Sequence, residues 1–213
     1  MPIAITPPTT DIEVISQACS LVGKGTFNTI EAGGPFARDA ANFYGTLVSG
    51  ELGSNRWRFA LKEDPMAILT TLTPTFDGWL YYWEIPADCL MFLHVALNNQ
   101  SGGFGGWTVF GDRVLTNTNQ NLTAVFCHNV PVSKWPAPFA LYIIYALADM
   151  LAVSITNSDR MVARIAKGLS YWQSRALFAD GQNSPVRSMR SRPWVNVRYA
   201  FRTRSNGNFN GGF

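Results

Sequence analysis

Residues 135–180 read WPAPFALYIIYALADMLAVSI, then TNS, then DRMVARIAKGLSYWQSRALFAD. In the first run Leu141, Ile144, Tyr145, Ala148, Leu151 and Ala152 recur at helical spacing after two prolines. A helix over 137–155 is roughly 28 Å long at 1.5 Å per residue. Thr156–Asn157–Ser158 breaks it, Asn157 or Ser158 can cap the next helix, and Asp159 suits that helix's dipole. Met161, Ile165, Leu169, Trp172 and Ala176 then give a second apolar stripe. Two amphipathic helices with a short break predict an antiparallel helical hairpin. The hairpin cannot bury its own apolar faces, so earlier segments must pack on it.

Those segments have matching signals. Residues 1–9 contain three prolines and should be extended. Thr10 and Glu13 form a capping box, and Ile12, Ile15, Ala18, Cys19 and Val22 give one stripe, stopped by Gly23 and Gly25. Pro35 suits the first position of a second helix with the face Phe36, Ala40, Phe43, Tyr44, Leu47 and Val48. From Asn55 to Pro131 the period shortens towards two. Trp57, Phe59 and Leu61 alternate with Arg58, Ala60 and Lys62, and Trp79, Tyr81 and Trp83 alternate with Leu80, Tyr82 and Glu84. Thr108 to Leu115 and Leu122 to Cys127 are β-rich, with Asn117 to Asn121 as the turn between the last two strands. Ala87 to Ala96 fits either period. The expected fold is α+β: a helical bundle of two N-terminal and two C-terminal helices, an inserted small antiparallel β-sheet, and an extended C-terminal arm. The segments are 1–54 (helical pair), 55–131 (β-rich insert), 132–180 (helical hairpin packing on 1–54) and 181–213 (arm).

Bulk properties narrow the function. The chain has 213 residues, which suits one well-cored domain, and its 15% charged content suggests surface covered by something other than water. Net charge is +3, but six arginines and no acid follow Asp180, so a mildly acidic body carries a basic arm. No signal peptide or membrane-spanning run is expected. Cys19, Cys89 and Cys127 form no C-x-x-C pair and read as buried reduced thiols. His94 and His128 lack further ligands at metal spacing. Adjacent strand residues face opposite ways, so Cys127–His128 is no nucleophile pair. Glu84 and Asp88 flank Pro86, but Asp88 reads as a turn cap rather than half of an acid pair. Asp149 reads as a solvent-edge or ion-paired carboxylate. Gly102–Gly106 lacks the lysine and following helix of a phosphate loop. No enzymatic activity, cofactor or metal is expected.

The arm interleaves cations with aromatics. Val195, Val197 and Tyr199 alternate with Asn196 and Arg198 as in a strand. Arg187, Arg190, Arg192, Trp194, Arg198, Tyr199 and Phe201 are the candidate partner-binding residues. The composition suits an acidic protein surface gripped by Trp and Arg anchors. It equally suits phosphate contacts with base stacking, which makes a nucleic-acid-binding module the alternative function. The strand-like alternation and the non-basic body favour a protein partner, contacted as the arm orders.

The order helix pair, Arg56-Trp57-Arg58-Phe59-Ala60, Tyr82-Trp83-Glu84-Ile85-Pro86-Ala87-Asp88-Cys89-Leu90, strands, helix pair resembles the tail tubular protein A family over roughly residues 10–180. These are head-to-tail adaptors of short-tailed bacteriophages. The resemblance implies a structural virion protein at the head–tail junction, assembled in the host cytoplasm as a homo-oligomeric ring, commonly of twelve copies. Its partners would be the portal protein above, the nozzle (tail tubular protein B) below, and tail fibres or spikes nearby. DNA would pass through the lumen during genome ejection without sequence-specific binding. In this family C-terminal segments often reach the portal, so the arm residues are expected to bind the portal or a neighbouring subunit. The Trp-x-Phe-Ala and Ile-Pro-Ala-Asp-Cys-Leu stretches read as folding signatures, with Trp57 and Phe59 facing the sheet–helix core.

Overall fold

The computed structural model describes residues 7–71, 78–97, 105–155 and 158–182. Among the described residues, four helices, α1 (Asp11–Leu21), α2 (Gly34–Ser54), α3 (Ala137–Ile155) and α4 (Asp159–Gln182), flank six strands. The strands are β1 (Leu61–Pro65), β2 (Tyr81–Glu84), β3 (Cys89–Leu97), β4 (Trp107–Phe110), β5 (Arg113–Thr116) and β6 (Leu122–His128). The fold is α+β with the β structure inserted between two helical pairs, as expected. The chain divides into a unit spanning Met1–Gly181 and a C-terminal one, Gln182–Phe213. The arm residues Arg187, Arg190, Arg192, Trp194, Arg198, Tyr199 and Phe201 lie outside the described residues.

Local chemistry sets the helix ends. The Thr10 hydroxyl accepts the Glu13 N–H, while the Glu13 carboxylate reaches past the cap to the Thr9 N–H at 2.6 Å. That bond holds the Glu13 carboxyl below its ordinary value. At the other end Lys24 N–H bonds Cys19 C=O and Gly23 N–H bonds Ser20 C=O, with Gly23 at φ 85°, a Schellman motif. The buried Ser16 hydroxyl then accepts Phe27 N–H at 2.8 Å and folds the Gly-rich loop back onto α1. The Ser158 carbonyl accepts Met161 N–H and Val162 N–H at the start of α4.

α3 is the centre of the helical core. It packs on α1 and α2, and burial extends beyond the expected stripe to Phe139, Tyr142, Ile143 and Leu147. A helix apolar on nearly all sides is an interior helix. α4 runs antiparallel to it: Tyr145 lies against Gly168, and Tyr142 hydrogen-bonds Gln173. On α2 the buried face is Ala37, Ala40, Tyr44, Val48 and Leu52, whereas Phe43 is 47% exposed. The face is therefore rotated from the expected one. Tyr44 sets it, because its hydroxyl donates to Asp11 Oδ1 at 2.9 Å and locks α2 to α1.

The insert forms two three-stranded antiparallel sheets, ordered β1-β6-β3 and β2-β5-β4. Met66, Trp83, Val95, Val114, Leu122, Ala124 and Phe126, drawn from both, make one shared core. The inserted antiparallel structure is thus as expected, divided into two small sheets. The chain alternates between layers, so 117–121 carries it from β5 in one sheet to β6 in the other rather than closing a hairpin. The run 108–115 is itself a hairpin, turned at Gly111–Asp112 with Gly111 at φ 63°. Ala87 to Ala96 resolves as β3, irregular between Cys89 and Met91 and between Phe92 and His94. Trp57 and Phe59 precede the first strand; Arg58–Ala60 is a 3₁₀ turn and β1 starts at Leu61.

Candidate assembly surfaces

Trp57 lies in the helical core, just before the chain enters the β unit. Its ring is 1% exposed and stands edge-on to Phe139, with centroids 4.8 Å apart. Phe59 and Tyr142 complete the aromatic cluster, with Trp135 against Phe139. The indole N–H donates to the Glu51 carbonyl at 2.9 Å, and the Tyr142 hydroxyl donates to the Glu51 carboxylate at 2.7 Å. Burial, and then the anionic partner, raise the Tyr142 phenol well above its usual range. His128 donates from Nδ1 to the Ala60 carbonyl at 2.9 Å. Asp180 accepts the Arg58 N–H at 2.9 Å, which fixes the C-terminal end of α4 beside the start of the β unit. Trp57 and Phe59 thus have the structural role their motif suggested: both pack into the helical core.

The outer face of α4 is different in kind. Arg160, Arg164, Lys167, Tyr171, Arg175 and Phe178 recur at spacings of four, three, four, four and three, so they share one face, roughly 27 Å long. Tyr171 is 51% exposed and Phe178 62%. Arg175 is held over the Tyr171 ring, and its Nε donates to the phenol oxygen at 3.2 Å. Among the described residues the ion pairs are Lys62–Asp64, Lys62–Asp88 and Arg113–Asp112, none of them on α4. Seven of the 17 basic and twelve of the 14 acidic residues precede Asp159; from there on stand ten basic and two acidic ones. The basic segment therefore begins at α4, ahead of the arm. The sequence reading followed the apolar stripe of this helix and passed over the cationic one at the same period.

A second surface lies on the β unit. Asp64, Pro65, Ala67, Glu84, Ile85, Pro86 and Ala87 line an open groove of about 380 Å³. Lys62 bridges Asp64 at 2.6 Å and Asp88 at 2.9 Å. Those bonds raise the Lys62 ammonium and lower the Asp88 carboxyl from their ordinary values. Glu84 is exposed and faces the groove, so Glu84 and Asp88 have separate surroundings and make no acid pair. The turn after Ile85–Pro86 is closed by Cys89 N–H on the Pro86 carbonyl, and the Asp88 carboxylate also accepts its own backbone N–H there. The Ile-Pro-Ala stretch therefore walls a groove as well as turning the chain.

The remaining candidates are structural. Cys19 and Cys127 are buried, Cys89 is half-buried, and burial pushes all three thiols up. His94 sits half-buried within β3, and Asp149 lies half-buried on α3. Among the described residues no three His, Cys, Asp or Glu side chains are grouped to hold a metal ion, and no helix is long and apolar enough to cross a membrane. No protein-family model matches this sequence, and no curated protein does.

Proposed function

We propose that this protein is a structural head-to-tail adaptor of a short-tailed bacteriophage. It forms a ring, of twelve copies by resemblance to tail tubular protein A, between portal and nozzle. The observation that carries the reading is the presence of two unlike exposed surfaces on one folded unit: the cationic, aromatic face of α4 and the acidic groove of the β unit. A ring of head-to-tail contacts needs two different patches per subunit. The arm, with Arg187, Arg190, Arg192, Trp194, Arg198, Tyr199 and Phe201, would dock on the portal or a neighbour. Ordering it only on docking carries an entropic cost that restrains premature association. The activity is geometric: the ring seals the exit, presents a platform to the nozzle and lets DNA pass.

The test is binding to tailless, portal-bearing capsids, full-length chain against a chain ending at Asp180, imaged by electron microscopy. The adaptor reading expects rings at the portal vertex with the full-length chain and none with the truncated one. No ring with either removes it. One observation favours a nucleic-acid-binding module instead: the cations of α4 run on in sequence to the six arginines beyond Asp180. That reading requires DNA affinity that falls steeply with salt.

A further inference from the structure

The α4 stripe combines four cations with Tyr171 and Phe178, and Leu177 beside it is 47% exposed. The phosphate backbone of a duplex gains little from Leu and Phe side chains, whereas a protein interface is anchored by aromatics and arginine. The occupant should be acidic with an apolar floor. The β unit offers that: the exposed Glu84 stands at a groove walled by Pro65, Ala67, Ile85 and Pro86, while Asp64 at its other side is already bridged by Lys62. Its size suits one or two large side chains. Arg175 already lies over Tyr171, so its guanidinium is partly ordered before contact and loses less freedom on binding.

We propose that the outer face of α4 in one copy docks into the acidic groove between β1 and β2 of the next copy, with Arg175 meeting Glu84 and with Tyr171 and Phe178 covering Pro65, Ile85 and Pro86. This rests on the ring reading and names the contact that would build the ring. It gives the Ile85–Pro86–Ala87 stretch a role beyond turning the chain. The contact is head-to-tail, because α4 against α4 brings like charges together, as does groove against groove.

The experiment uses the full chain with a photo-crosslinker, p-benzoylphenylalanine, replacing Phe178. It is irradiated free at high concentration and on portal-bearing capsids. Crosslinked dimers whose partner peptide maps to residues 61–88 are the expected result. Arg175→Glu and Glu84→Arg should each cut dimer yield at least tenfold. The two changes in one chain should restore it, because both sides of every contact are then reversed. Thermal melts of the exposed-site variants verify that they fold. Dimers mapping elsewhere, no dimers in either setting, unchanged yield with the reversals, or crosslinks to added duplex DNA in place of protein overturn the proposal. Rings from the unmodified chain on capsids, seen alongside any of those results, leave the adaptor reading standing while this contact falls. No rings, with crosslinks at 61–88, retain the contact and remove the adaptor.

Discussion

Replacing Trp57 with alanine should cost about 3–5 kcal/mol, the usual range for truncating a large buried aromatic. Three losses add there. The ring is 1% exposed, so its whole apolar area returns to water on unfolding and its removal leaves a hole. Phe139 loses an edge-on partner at 4.8 Å. The Glu51 carbonyl, near the C-terminal end of α2, loses its indole donor. Domains of this kind have only about 5–15 kcal/mol in total. At roughly 2–4 °C per kcal/mol for a chain of this size, the midpoint should fall by about 6–20 °C. Trp57→Phe separates the terms: it keeps an aromatic ring and gives up the N–H and part of the volume, so it should cost about 1–3 kcal/mol. Urea unfolding followed by far-UV circular dichroism measures both. A cost below about 1 kcal/mol for Trp57→Ala, or equal costs for the two variants, would refute the view that this ring and its N–H anchor the helical core.

Gly168→Ala should destabilise the fold even though alanine is the better helix former by about 1 kcal/mol, because its Cβ would stand 2.2 Å from Tyr145 Cε1; combined with Tyr145→Ala the sign should reverse, as a double-mutant cycle of melts will read. The Glu13 carboxyl titrates below its ordinary 4.5 when folded, so its contribution is complete above that pH and is lost as pH falls through the folded value. The gap in midpoint between wild type and Glu13→Gln should then shrink in melts taken below pH 4. Cys19 and Cys127 should resist a thiol reagent at pH 8 in the folded protein and react on unfolding in urea, since both are buried.

The helical half was legible because its signals are local. The Thr10 cap and the Gly23 stop each act within one helical turn, and both stand where the spacing put them, whereas Thr156 and Asn157 lie outside the described residues. The β half was legible only as strands. Sheet membership depends on pairings between distant residues, such as Leu61 with Cys127, and nothing in a period of two says which layer a strand joins. Trp57 and Phe59 alternate like a strand, yet tertiary packing with Phe139 and Tyr142 decides their conformation. The α4 surface was open to reading, since Arg160, Arg164 and Lys167 repeat at helical spacing. The groove was not, because Asp64 and Glu84 come together only through the tertiary fold.

The charge pattern also bears on what kind of assembly these surfaces permit. Two copies meeting symmetrically through α4 would oppose eight cations across one interface, with no carboxylate on that stripe to separate them. Two copies meeting through the groove would oppose Glu84 with its equivalent, Asp64 being paired by Lys62. Both symmetric pairings are penalised by like charge, and only the unlike pairing is steered together. An unlike pairing leaves one patch of each kind free at the ends, so growth continues until rotation closes it. Closure then depends on the angle between α4 and the groove within one subunit. That angle is held by the Asp180–Arg58 bond and by the packing of α2 on β3 and β6, which join the helices to the β unit. Loosening the junction should therefore broaden the distribution of ring sizes before it abolishes pairing.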